Sequence, residues 1–252
     1  MFRYLMAVVG MCFFVAASYA FPTDGLLAHF DASKKADFRL EGEYVAAWTS
    51  TTGSTDSATA SDAQRPRYVA RTGGILRSAV LFDGTDDVLC IPSFNRTADT
   101  WSLVVVAAPY APCAGGGICS ARSRDGHDYD PGFTVDLYQS GTAFDQVSIE
   151  GAGRIGGQRD QMTHSYPCGG FHVITVIRGA EQIWLYVDGL LEGTRPVSPA
   201  KTIMDELRIG ARYFAGSERN YFHGEMATVL LYDHALTDAD RAAEDSKEGP
   251  VD

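Results

Sequence analysis

Positive charge is scarce in this sequence: its 252 residues carry 21 Lys and Arg against 32 Asp and Glu, a formal net charge of −11. A surface with that balance repels a phosphate backbone, which excludes nucleic acid as a partner. Long apolar runs are scarce too. Beyond Ala20 no stretch approaches the about 20 apolar residues that a spanning helix needs, so no membrane span is expected there. The histidines, His29, His127, His164, His172, His223 and His234, never stand at His-Glu-x-x-His spacing, and a zinc site is not indicated. There is no Gly-x-Ser-x-Gly elbow and no phosphate-binding glycine loop.

The first twenty residues, "MFRYLMAVVGMCFFVAASYA", hold one cation at Arg3, an apolar run from Leu5 to Ala17 and small residues at Ser18 and Ala20. That is the pattern of a secretory signal peptide cut after Ala20, which predicts a secreted, periplasmic or otherwise extracellular protein. Residues 21–252 then read as one large domain. Four cysteines remain in it, Cys90, Cys113, Cys119 and Cys168, an even number that suits an oxidising compartment. Cys113 and Cys119 close the short loop "CAGGGIC", whose glycines let the chain bend back, so a disulfide is expected between them. Cys90 either pairs with Cys168 or stays a buried free thiol. Asn95-Arg96-Thr97 is a glycosylation sequon, relevant only in a eukaryotic source.

Short runs of β-branched and aromatic residues recur along the domain, separated by Gly, Pro, Asp and Asn: "EYVAAW", "AVLFDG", "WSLVVVAAP", "FHVITVIRG", "QIWLYVDG" and others. They predict an all-β sandwich or barrel. One short helix is expected from Thr237 to Glu244, with Thr237 as N-cap and Asp238 and Asp240 in the first turn. The polar stretch from Thr49 to Gln64, "TSTTGSTDSATASDAQ", reads as a long mobile loop. Trp101 and Trp184 fall inside apolar strands, where an indole is core, whereas Trp48 borders that polar stretch and could be core or platform.

Taken in order, "GLLAHFDAS", "FDGTDDVLCIP", "WLYVDGLLEGT", "ELRIGARY" and "FHGEMATVLLYDHALTDADR" resemble the marks of the laminin-G-like and concanavalin A-like jelly-roll superfamily. The resemblance spans nearly the whole domain and implies a two-sheet antiparallel jelly-roll sandwich with one short C-terminal helix. Its members include lectins, adhesion modules, glycosidases, lyases and structural modules, so fold leaves function open. The laminarinase-like glucanases of this superfamily carry their catalytic acids as Glu-x-Asp-x-x-Glu on one strand, and no such string occurs here. By resemblance to calcium-bearing jelly rolls, a single structural Ca²⁺ would take oxygens from Asp31, Asp83 and Glu225, with Asp233 next. In "VLFDGTDDVLCIP" the three carboxylates Asp83, Asp86 and Asp87 read either as turn formers around Gly84 or as a crowded corner that binds a hard cation with oxygens from further loops.

Function in a sandwich is carried by its loops. Three charged loops stand out: "ARSRDGHDYDPG" from Ala121, "EGAGRIGGQRDQ" from Glu150, and "GARYFAGSERNYFHG" from Gly210. Their planar and aromatic groups suit carbohydrate contacts, giving Arg122, Arg124, His127, Tyr129, Glu150, Arg159, Arg212 and Tyr213 as candidate ligand-binding residues. The reading is an exported, non-catalytic module binding a glycan or an extracellular surface polymer. The alternatives are a polysaccharide-acting enzyme using Glu150 with loop arginines or His127, and a purely structural accessory domain.

Overall fold

Alternation and turn chemistry decide the strands. The computed structural model describes residues 22–52, 56–71, 77–112, 115–153 and 159–241. The signal segment, Cys113 and the end of the expected helix at Glu244 lie outside the described residues. In chain order come β1 (Leu26–Asp31), β2 (Phe38–Glu41), β3 (Tyr44–Thr49), β4 (Ser57–Thr59), β5 (Arg67–Val69), β6 (Ala79–Asp83) and β7 (Leu89–Ile91). Next are β8 (Arg96–Ala98), β9 (Trp101–Pro109), β10 (Gly116–Arg122), β11 (Phe133–Ser140), β12 (Ala143–Gly151), β13 (Asp160–Pro167) and β14 (His172–Arg178). The last are β15 (Gln182–Val187), β16 (Leu190–Pro196), β17 (Thr202–Met204), β18 (Glu206–Ile209), β19 (Arg212–Phe214), β20 (Ser217–Arg219) and β21 (His223–Tyr232).

Seventeen of these strands form one antiparallel sheet that folds over on itself into two layers. The front layer runs β13, β12, β11, β10, β18, β7, β4, β3, β2. The back layer runs β16, β15, β14, β9, β21. A register shift between Met226 and Thr228 lets β21 pair with β6 through its first half and with β1 through its second. β5 joins the layers, pairing with β6 over three residues and with β3 at Tyr44 and Arg67 alone. This is the jelly-roll sandwich that the motif order implies.

Between the layers lies a core that includes Phe30, Trp48, Phe82, Trp101, Phe133 and Phe222, all fully buried. Trp101 stacks on Phe133 with centroids 4.3 Å apart, and its Nε1 donates to Thr202 Oγ1 at 3.1 Å. Trp48, which the sequence left between core and platform, is core, packed between Phe30 and Phe38. Trp184 is only partly buried, against a second apolar cluster with Val104, Val106 and Leu230.

The β15–β16 hairpin turns on Asp188 and Gly189, both at positive φ of 48° and 78°, the two-residue turn that an Asp-Gly pair favours. The helix begins at Asp238. Thr237 Oγ1 accepts from Asp240 N at 3.2 Å while Asp240 Oδ2 accepts from Thr237 N at 3.0 Å, a reciprocal cap. The Thr49–Gln64 stretch corrects the sequence reading: Ser57–Thr59 is a strand that pairs with β3 and touches β7 at Cys90, and a short 3₁₀ turn spans Asp62–Gln64. Its Ala58 is buried in the core, so one apolar residue is enough to seat the segment.

Trp101→Ala removes a whole buried indole and strands the Thr202 hydroxyl, so it is expected to destabilise by about 3–5 kcal/mol. Trp184→Ala, at a partly exposed position, should cost less than half as much. Urea unfolding of both variants checks this, and equal losses would contradict the placement.

Candidate functional site

On the front layer the period of two divides the side chains cleanly. Cys119, Ala121, Val135, Leu137, Val147, Ile149, Leu207 and Ile209 enter the core. Their neighbours Ser120, Arg122, Asp136, Glu150, Glu206 and Arg208 therefore take the outer face. The β19–β20 hairpin folds back over that face. Its backbone comes so close to β10 that a Cβ on Gly117 would sit 2.8 Å from Ala211 C and Arg212 N, so only glycine fits there.

Arg212 leads this hairpin and is 5% exposed. Its guanidinium donates through Nε and Nη2 to the two oxygens of Asp128, both at 3.2 Å. Nη1 donates to Asp136 Oδ2 at 3.0 Å and to Glu150 Oε1 at 3.2 Å, and Nη2 reaches Glu150 Oε2 at 3.4 Å. Asp128 also accepts from Tyr213 N at 2.7 Å, and its own N donates to Tyr213 O at 3.2 Å. One cation thus joins the first charged loop, at Asp128, and two strand acids, Asp136 of β11 and Glu150 of β12, to the third loop.

Three carboxylates around one guanidinium leave an excess of negative charge in a buried place. Burial pushes the Asp136 carboxyl up to about 7, against the pull of Arg212 and with the push of Asp128 and Glu150. Asp128 is raised for the same first reason. Burial works against the Arg212 charge, yet Asp136, Asp128 and Glu150 outweigh it and hold the guanidinium above its ordinary range.

Beside this cluster, Arg122 grips Glu206 bidentately at 2.8 and 2.9 Å, and Arg208 donates to Glu206 at 2.9 Å and to Glu218 at 3.2 Å. The Tyr213 ring lies under both guanidiniums, 4.1 Å from Arg122 and 4.5 Å from Arg208. Of the eight candidate ligand residues, Arg122, Glu150, Arg212 and Tyr213 are therefore engaged in holding the loops. Arg124, His127, Tyr129 and Arg159 reach the surface. His127 stacks on Tyr129 at 4.8 Å with planes 8° apart, and Arg159 lies 3.9 Å over the Tyr138 ring. Arg124 donates from Nη2 to Asn95 Oδ1 at 3.2 Å. Sequence reasoning missed Asp128 and Asp136 as the partners of Arg212. The signal was there for Asp136, an acid in "FTVDLY" whose flanking Val135 and Leu137 must point the other way.

Among the described residues the expected metal ligands Asp31, Asp83 and Glu225 do not form one cluster. Glu225 is taken up by Arg71, which pairs with both its oxygens, and by Tyr110, whose hydroxyl donates at 2.5 Å. Asp31 accepts from Ser33 N and Oγ at 2.9 and 2.7 Å. Asp233 lies beside His234 at 3.1 Å. Asp83 instead gathers with Asp86 and Asp87, their carboxylate oxygens within 4.8 Å of one another. Asp83 Oδ1 accepts from Thr85 N and Asp86 N at 2.8 and 3.3 Å, and Asp87 Oδ2 accepts from Asp83 N at 2.9 Å. Turn chemistry accounts for these bonds, and a hard cation with its about six to eight oxygens would need backbone or water ligands as well. Cys119 is a free, buried thiol, and Cys113, its expected partner, lies outside the described residues.

A laminin G family profile of the concanavalin A-like lectin/glucanases superfamily matches residues 83–240, more than half the chain. No curated protein sequence matches. Among solved structures, a native heptameric SAP-like pentraxin from Limulus polyphemus is similar at TM-score 0.54 and 16% identity, covering 66% of this chain and 81% of its own. A Trypanosoma rangeli sialidase solved with sialic acid has TM-score 0.61 and 14% identity, over 91% of this chain and 34% of its own. The binding domain of botulinum neurotoxin DC, solved with SialylT, has TM-score 0.59 and 9% identity over 90% of this chain and 52% of its own. The chain spans about a third of the sialidase and about half of the toxin domain. At these identities the likeness establishes the fold.

The raised Asp136 carboxyl gives a signed prediction. The folded protein holds this proton more tightly than the unfolded chain, so the group's contribution to stability is complete below its ordinary pKa of 3.8 and is lost as pH rises through about 7. Asp136→Asn keeps the shape of the neutral acid without the ionisation. Urea unfolding between pH 5 and 8 should show the variant gaining on the native protein as pH rises; a constant gap would contradict the assignment.

Proposed function

The chain belongs to the concanavalin A-like lectin/glucanases superfamily, and from that membership we propose that it is an exported, non-catalytic module that binds an anionic glycan on the outer face of its front layer. The observation that carries this reading is the Arg212 cluster, which ties the first charged loop at Asp128, and strands β11 and β12 at Asp136 and Glu150, to the β19–β20 hairpin, with Arg124, His127 and Tyr129 exposed beside it. Those groups suit a sugar acid. The Tyr129 ring, backed by His127, offers a stacking surface, and the Arg124 and Arg159 guanidiniums offer paired donors to carboxylate or sulfate.

The reading has support beyond the geometry. Two of the similar folds are solved with sialic acid and with SialylT. Against turnover, Asp136 has no exposed surface and Glu150 is tied to Arg212, so neither offers an open acid to a glycosidic oxygen. Export rests on the N-terminal sequence, and no helix among the described residues is long and apolar enough to cross a membrane. The calcium expectation moves with the geometry to the Asp83, Asp86 and Asp87 corner as part of the same proposal.

A glycan array of neutral, sialylated, uronic and sulfated polymers tests the proposal, run in CaCl₂ and in chelator. Binding to acidic glycans should fall with salt, and Arg124→Ala or Arg159→Ala should weaken it about tenfold, the effect of roughly 1.4 kcal/mol. Chelator should lower the melting temperature without moving the binding face. Binding indifferent to both arginines, or product release that Glu150→Gln abolishes, would overturn the reading.

A further inference from the structure

At the end of the second charged loop, both layers end on the same side in strands with one free edge. Among the described residues β13 pairs only with β12, and β16 only with β15. Side chains rather than a ladder close the gap between these edges. At one end the fully buried Glu192 carboxylate on β16 accepts from His164 N and Nδ1 at 2.8 and 2.9 Å and from the Tyr166 hydroxyl, all on β13. Thr163 Oγ1 adds a bond to Glu192 O at 3.1 Å. At the other end Arg195 pairs with Asp160 and donates to Ile149 O at 3.1 Å.

Between these two fastenings the sandwich is open. A cavity of about 300 Å³ enters there, floored by Val147, Ile149, Met162, Ile183 and Leu185 and walled by Glu192, Asp160 and Arg195. The floor is aliphatic throughout, which suits methylene groups and gives a sugar ring nothing to stack on. The walls place two carboxylates against one guanidinium. Although burial works to raise it, the Glu192 carboxyl is held below its usual range by Tyr166 and His164, so its charge persists. The local excess is negative, as is that of the chain at −11.

We infer that this slot is a second binding site, for a small aliphatic amine whose alkyl chain lies on the five-residue floor and whose ammonium faces Asp160 at the rim. The ligand enters between the sheet edges without breaking a ladder bond, since none spans them. The site adjoins the glycan face at Arg159 but uses none of the contacts proposed there, so it stands whether or not that reading holds.

The test is calorimetric titration of the mature protein with octylamine, octanol and octanoate at pH 7 and at concentrations below micelle formation. Octylamine should bind saturably at one site, with octanoate at least about tenfold weaker. Met162→Trp fills the floor and should abolish binding, its melting curve showing that it folds. Asp160→Asn, at the rim, tests the charge without touching the core and should erase most of the preference for octylamine over octanol. Arg124→Ala should bind octylamine like the native protein. Absence of saturable octylamine binding, octanoate binding as tight, or undiminished binding by Met162→Trp or undiminished preference in Asp160→Asn would overturn the inference.

Discussion

The pairing of Arg212 with Asp128, Asp136 and Glu150 is the interaction on which the front of this protein depends. Buried ion pairs add little net stability, because desolvation takes back most of what Coulomb attraction supplies. Breaking one is another matter: removing a partner leaves uncompensated charge inside and costs about 3–5 kcal/mol. Arg212 therefore acts as a fastener. With it Asp128, Asp136 and Glu150 share one set of donors, and without it the buried Asp128 and Asp136 carboxyls lose their cationic partner. Guanidinium suits the task because its planar fork presents donors along several directions at once, which an ammonium on a flexible stem does not.

The same device recurs where the two layers would otherwise part. Glu192 fastens β13 to β16, and Glu225 holds Arg71 and Tyr110 together beside β21. In each case a carboxylate is desolvated and then satisfied by more than one donor, as a buried charge requires. An acidic chain has carboxylates to spare for this. Among the described arginines, Arg178, Arg208 and Arg212 are buried, and of the exposed ones Arg124 and Arg159 lie in the first two charged loops.

Much of the fold was legible because its signals are local. Alternation marked the strands, Asp188-Gly189 marked a hairpin, and Thr237 with Asp240 marked a helix start. The site was legible only in part. Charge and glycine content picked out the three loops, but composition does not say which way a charge points. Arg122 and Arg212 read as surface contacts and turned out to be buried or half-buried ties. Glu225, named as a metal ligand by resemblance alone, is paired with Arg71, a contact that nothing nearby in sequence shows. Ser57–Thr59 read as loop because two of its three residues are polar, although pairing with β3 and β7 makes it a strand. These errors share a cause: each residue's role is set by a partner distant in the chain.

The claim that Arg212 fastens the loops is tested most directly by amide hydrogen exchange on Arg212→Gln beside the native protein. The account predicts that residues 123–131 and 211–219 lose protection together, while β9 and β14 in the back layer keep theirs. Unchanged protection of both segments would contradict it, and so would loss confined to the hairpin that carries the substitution.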